Sequence, residues 1–355
     1  MQPNIIAQHF QITGVPLRYE PFGSGHINST YKITTDAGCS YVLQHINQYV
    51  FTNPPQLMEN ASRVTNFIRA KGAVGLNFVP LNDGTYCLRD ADGEYWRCYE
   101  YLHGFCMDAP ESAEDFYQSA RAFGEFQNLL SDFPADTLHE TIPNFHNTPE
   151  RLRQLKESIA ADSVSRLATA KPEAEFFLAH EALASRLQQM LNAGELPLRV
   201  THNDTKLNNV LLDPVTRTPL CVLDLDTVMP GLSAYDFGDS IRFGGNTAAE
   251  DEPDASKMKL DAELFRAFTK GFLEAAPALT DREVQVLPLG AFTITLEIGS
   301  RFLKDYLDGD KYFRTAYPEH NLVRCRTQIA LCADMLKRWE EMESIVAEVA
   351  KEVRG

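Results

Sequence analysis

The chain has 355 residues, with 44% hydrophobic and 23% charged side chains and a formal net charge of -16, the profile of a globular chain with room for two domains or one large bilobal one. No Lys/Arg-rich block is present, which argues against a nucleic-acid partner, and no stretch approaches the about 18 uninterrupted apolar residues of a membrane span. The opening MQPNIIAQHF lacks a secretory pattern, and seven Cys, an odd number with no CxxC, fit free thiols in a reducing compartment; a cytoplasmic chain is expected.

The first hundred residues read as strands. LRYEPF (17–22) runs into Gly23-Ser24-Gly25; HINSTYKITT (26–35), a turn at Asp36-Ala37-Gly38, and SYVLQHI (40–46) follow as a hairpin. QLMENASRVTNFIRAKG has apolar residues at helical spacing and stops at Gly72. TYCLRD (85–90) and EYWRCYEYL (94–102) flank the turn Ala91-Asp92-Gly93, giving three strands, a helix and two strands. From about residue 110 helices take over, expected at 112–132, 149–160, 173–194, 259–275, 281–307 and 326–352. The last is amphipathic, suited to packing on the helical part or to a weak homodimer contact. Only NVLLD (209–213) and LCVLDLD (220–226) look strand-like there, and TAAEDEPDASK (247–257) reads as a mobile loop. The pattern predicts an α+β fold: an antiparallel β-sheet lobe with one helix over 1–103 and a larger, mainly helical lobe over 104–355.

Chemistry concentrates in THNDTKLNNVLLDPVTRTPLCVLDLDTVMPG (201–231). Phosphoryl transfer asks for an oriented nucleophile and cations on the phosphates. Asp204 can accept a hydroxyl proton. Asn209, five residues on, and Asp224, across a hairpin, are oxygen ligands of the kind a hard cation such as Mg2+ prefers. The H-x-D-x-x-x-x-N spacing followed by an Asp matches a kinase catalytic loop. Lys206 can reach a transferring phosphate as a point charge. His202 reads as a residue that orients the loop, and Asp226 either assists the metal or organises the turn. A single D-x-x-x-x-N also occurs in ordinary turns; here it comes with the hairpin, the second Asp and the sheet lobe.

HNDTKLNNVLLD with VLDLDTVMPGLSAYDFGDSIRFG resembles the aminoglycoside phosphotransferase and choline kinase-like superfamily, and FGSGHINSTY, YVLQHIN and GSRFLKDYLDGDKYF bring it nearest to the bacterial N-acetylhexosamine 1-kinases. The resemblance implies a bilobal protein-kinase-like fold and ATP with Mg2+. Asp204 would be the base for an N-acetylhexosamine anomeric hydroxyl, with Asn209 and Asp224 on the metal. It further implies Gly23, Ser24 and Gly25 over the nucleotide, adenine at the backbone of Glu100 and Leu102, and His26, Arg301 and Tyr312 on the sugar. Arg301 could equally form a salt bridge with Asp305, and Tyr312 could be an ordinary packed tyrosine.

Two features depart from that pattern. Gly23-Ser24-Gly25 is shorter than a full G-x-G-x-x-G. Gln44 stands on the third strand where a phosphate-pairing Lys or Arg is usual, so either Lys32, Lys206 or the metals compensate or phosphate binding is weaker, and Glu59 is left without its usual partner. Gln44 therefore keeps a nucleotide-binding pseudokinase in view, and another small alcohol (an aminoglycoside, choline or homoserine) stays open as the acceptor.

Overall fold

The computed structural model describes residues 2–23 and 27–355. A short helix α1 (Pro3–Ala7) precedes β1 (Pro16–Pro21), β2 (Ser29–Thr35) and β3 (Ser40–Ile46); α2 (Pro54–Ala70), β4 (Leu88–Arg89) and β5 (Tyr95–Glu100) follow. The strands form one antiparallel sheet ordered β1-β2-β3-β5-β4, as the sequence pattern predicts. Side chains alternate across the pleat. One face sends Ile33, Leu43, Trp96 and Cys98 into a small core closed by Ile6 and Phe10. The other turns Thr30, Val42, Gln44, Arg97 and Tyr99 toward a cavity.

The larger part is helical: α3 (Ala113–Leu129), α4 (Thr148–Ala161), α5 (Lys171–Ala179), α6 (Glu181–Ala184) and α7 (Arg186–Asn192), then α8 (Ser233–Gly244), α9 (Ala262–Ala275), α10 (Asp281–Gln285), α11 (Leu287–Asp308), α12 (His320–Lys337) and α13 (Trp339–Arg354). Between α7 and α8 lie β6 (Arg199–Thr201), β7 (Val210–Leu212), β8 (Pro219–Val222) and β9 (Met229–Gly231), paired β6 with β9 and β7 with β8. Helix α11 is buried along most of its length and packs against α4, α8 and α12. Its crossing with α8 is backbone-close: a Cβ on Gly238 would come within 2.3 Å of the Gly290 carbonyl oxygen.

Several sequence expectations change. The apolar run 220–226 is strand only to Val222, because Asp224 takes a left-handed φ of 54°; Asp224 and Asp226 therefore share no strand face. The helix expected over 281–307 is α10 plus α11, since Pro288 is tolerated only in a first turn and forces a new start. The one over 326–352 is α12 and α13, hinged at Arg338, which lets the apolar side of α13 lie on α9. The helix expected over 173–194 is the three pieces α5 to α7. Segment 247–257 is held rather than loose: Arg242 pairs with Glu250, Lys257 with Glu252 and Asp251 with His320. The β6–β9 pair and α1 were not legible in the pattern, being three and five residues long.

Candidate active site

The β6–β9 ladder and the β7–β8 hairpin bracket the loop 202–209 and the turn 223–228. Asn203 has a φ of 64°, and Asp224 shares this left-handed region. Asn and Asp enter it more readily than most residues, and such backbone persists where its surroundings over-determine it. Here two carboxylates on α8 do so. Asp236 accepts the backbone N–H groups of His202 at 2.9 Å and Asn203 at 2.8 Å, and the Gln127 amide at 2.7 Å. Asp239 accepts the Thr205 N–H at 2.9 Å and pairs with Arg242. Burial drives the Asp236 carboxyl above the usual range despite these donors, whereas Asp239 is held below it because Arg242 and Lys206 outweigh burial. His202 is buried against Phe123 and Phe126, and its Nε2 donates to the Leu223 carbonyl at 2.7 Å. It ties the loop to the turn that carries Asp224, the orienting role read from the sequence.

Between sheet and helices lies a cavity of about 760 Å3, lined by Asp204, Lys206, Asn209, Asp224 and Asp226 from below and by Gln44 and Arg97 from the sheet. Lys206 Nζ is 2.9 Å from Asp204 Oδ1. Burial opposes the ammonium charge, yet Asp204 and Asp239 keep its pKa above the ordinary lysine value. Asn209 donates from Nδ2 to the Asp204 carbonyl at 2.8 Å and to its carboxylate at 3.2 Å, which leaves its Oδ1 for another partner. The Asp224 carboxyl is pushed up to about 6, first by desolvation and then by the charges of Asp226 and Asp204. Its side chain is exposed, and the neighbouring carboxylates crowd it.

Such crowding suits a divalent cation. Among the described residues no three His, Cys, Asp or Glu side chains close into a complete metal cage.

At the other end of the cavity are Gly23, with a φ of 79°, and Leu102. Ser24, Gly25 and His26 lie outside the described residues. Glu100 does not line the cavity, and its N–H is engaged by the Asn77 carbonyl at 3.0 Å. Lys32 sits 3.9 Å above the Tyr101 ring, and Glu59 faces outward to His139 and Arg63. Neither is among the residues that line the cavity.

Arg301 and Tyr312 are not among the cavity-lining residues. Arg301 lies about 5.5 Å from the ring centre of Phe145, 5.6 Å from that of Tyr312, and 3.4 Å from the Tyr312 hydroxyl. The alternative salt bridge with Asp305 is not formed: Asp305 is buried and accepts the backbone N–H groups of Lys311, Tyr312 and Phe313, folding that loop back over α11. One turn before Arg301, Glu297 binds Thr148 at 2.7 Å and His146 Nδ1 at 2.9 Å, and His146 Nε2 donates to the Asn203 carbonyl at 3.3 Å. A buried relay thus joins the helix of Arg301 to the residue preceding Asp204.

The sequence pattern of the phosphotransferase enzyme family matches residues 18–279, which span the sheet, the cavity and its loop. The chain belongs to that family. Its fold recurs in solved structures of low identity: a microcompartment-associated aminopropanol kinase (15% identical, TM-score 0.65, covering 96% of this chain and 97% of that one); an amicoumacin kinase in complex with AMP-PNP, Ca2+ and Ami (15%, 0.62, 92% of each); and a choline kinase from Cryptosporidium parvum Iowa II (12%, 0.59, 99% and 98%). Within this phosphotransferase fold the sequence reading missed Arg97, Asp236, Asp239 and the His146–Glu297 relay. The two α8 carboxylates stand at i and i+3 in the quoted YDFGD, a spacing that puts them on one helix face. Arg97 and the relay have no local signal, because their partners are 129 and 151 residues away.

Proposed function

We propose that this phosphotransferase moves the γ-phosphoryl group of Mg2+-ATP to the anomeric hydroxyl of an N-acetylhexosamine, N-acetylglucosamine or N-acetylgalactosamine, releasing the sugar 1-phosphate and ADP. The observation that carries phosphoryl transfer is the convergence of Asp204, Lys206, Asn209 and Asp224 on one cavity beneath the sheet. Asp204 orients the acceptor hydroxyl and takes its proton, and Lys206, paired with it at 2.9 Å, offsets charge on the transferring group. Asn209 and Asp224 would hold Mg2+, which when bound neutralises phosphate charge.

The sugar reading rests on Arg301, which stands outside the cavity lining. Arg301 has no carboxylate within ion-pair distance among the described residues, and the nearby Arg151 guanidinium is destabilised by burial and then by Arg301's like charge. The Arg301 fork suits hydroxyls or an acetamide carbonyl.

Replacement of Asp204 by Ala is expected to lower turnover by about 10²- to 10⁴-fold, the usual contribution of a positioned base, while titrated ATP affinity stays within a few-fold. Near-normal turnover would refute the assignment. ADP release against a panel of sugars, amino alcohols and aminoglycosides separates a kinase from a nucleotide-binding module. Phosphorus NMR of the product decides the acceptor, and a phosphate anywhere but O1 of a hexosamine removes the sugar 1-kinase reading.

A further inference from the structure

Thr30, Gln44 and Arg97 form a row across three adjacent strands, each paired to the next in register. Gln44 Nε2 donates to Thr30 Oγ1 at 3.0 Å, and Arg97 Nε donates to Gln44 Oε1 at 2.8 Å. Arg97 Nη1 then reaches Asp226 on the turn after Asp224, and Asn28 donates to the same carboxylate at 2.6 Å. Arg97 is only 3% exposed, and what it exposes faces the cavity. Residues opposite each other in an antiparallel pair stand about 5 Å apart on one face, so a cation moved from position 44 to position 97 stays in the same cleft.

We infer that Arg97 is the residue that grips the nucleotide's phosphate oxygens in this chain, aimed by Gln44 and Asp226, in place of the cation missing from position 44. This rests on the kinase reading above. Of the other cations nearby, Lys32 lies on the Tyr101 ring, and Lys206 sits beside Asp204, where it serves the transferring group rather than the sheet side of the cavity. Arg97 has donors to spare. Nε and Nη1 are engaged, whereas Nη2 donates to no described residue, leaving two N–H groups for an anion in the cavity. A guanidinium is suited to this because Nε can hold the amide and Nη1 the carboxylate while Nη2 stays open to a phosphate oxygen. Gln44 is then no sign of lost function: it receives Nε and fixes the plane of the fork. Asp226 has a single role with two effects, holding Arg97 and drawing the sheet onto the turn that carries Asp224.

The test measures binding of Mg2+-ATP and of adenosine to the full chain by calorimetry. Met at position 97 leaves Asp226 buried without its partner, so the charge-neutral double variant Arg97→Met with Asp226→Asn is measured beside Arg97→Met. ATP affinity is expected to fall about 10- to 100-fold in both, as for a lost charged hydrogen bond, with adenosine affinity within twofold of wild type. Adding Gln44→Lys to the double variant returns a cation to the neighbouring strand and is expected to recover part of the ATP affinity. If ATP and adenosine affinities change in parallel, or neither changes, Arg97 only ties the lobes and the inference is overturned. If the wild-type chain itself fails to bind Mg2+-ATP, the kinase reading falls, a result distinct from the first.

Discussion

Asp236 touches neither cavity nor acceptor, yet the position of Asp204 depends on it. Two successive backbone N–H groups, those of His202 and Asn203, donate to its two oxygens, and they share with the Asn203 side-chain bonds to Thr201 and Thr227 the task of holding left-handed backbone there. Asn in place of Asp236 keeps the shape but offers one acceptor oxygen and turns an NH2 toward a donor. The expected cost is about 1–3 kcal/mol of stability, the penalty of an unsatisfied buried donor. Turnover at saturating ATP should fall at least about tenfold, since a misplacement on the order of 1 Å costs up to about a hundredfold, with the KM for ATP near wild type. Thermal unfolding and steady-state kinetics read both, and an unchanged kcat would mean the loop is held by other contacts. At this scale Asp204, Asn209 and Asp224 were legible because one short loop and one hairpin bring them together. Arg97 was not, because its role exists only once β5 is laid beside β3.

Among the elements, the best-read were those with a long apolar period, such as α3 and α9, or a clear turn, such as β2–β3. Breaks inside long periodic stretches were the misses: periodicity records which face is buried and not where the axis changes direction, so α12 and α13 read as one helix. The short β6 was invisible in sequence, and its anchorage is likewise tertiary. Arg199 on β6 pairs with Glu283 of α10 at 2.7 Å, and Glu283 also closes a capping box with Thr280. Burial opposes the Glu283 charge, but Arg199 and the Thr280 donors outweigh it and hold the carboxyl below its usual value. Because the folded pKa lies below the unfolded one, the stabilisation is complete above the unfolded value and is lost as pH falls through the folded one. Glu283→Gln is therefore expected to destabilise by about 1–3 kcal/mol at neutral pH, with the gap to wild type narrowing as pH falls below the ordinary glutamate value. Urea unfolding across that range measures it, and a gap independent of pH would show that the lost contacts are not those of the charged form.

The whole molecule leaves few surfaces on which a second copy could settle. The amphipathic α13 is spent internally: Met342, Ile345, Val346 and Val349 are buried, and the contacts run to α9. The flanking pairs Arg266–Glu348 and Lys270–Glu352 are exposed and add little strength, but they cover the seam with charge. The sheet has its open edge at β1, where Leu17 and Tyr19 are exposed and strand addition is the hazard. Pro16 and Pro21 stand at the two ends of that strand and supply no N–H to a newcomer, while Arg18 and Glu20 place charges between them. The opposite edge, β4, is only two residues long. A net charge of -16 adds mutual repulsion, which weakens as salt screens it. The chain is therefore expected to run as a monomer of 39.9 kDa in size-exclusion chromatography with light scattering, at low and at high salt. A dimer stable under both conditions would point to β1, and Leu17→Lys should then dissolve it; a dimer that survives this change would place the interface on a face other than the sheet edge or α13.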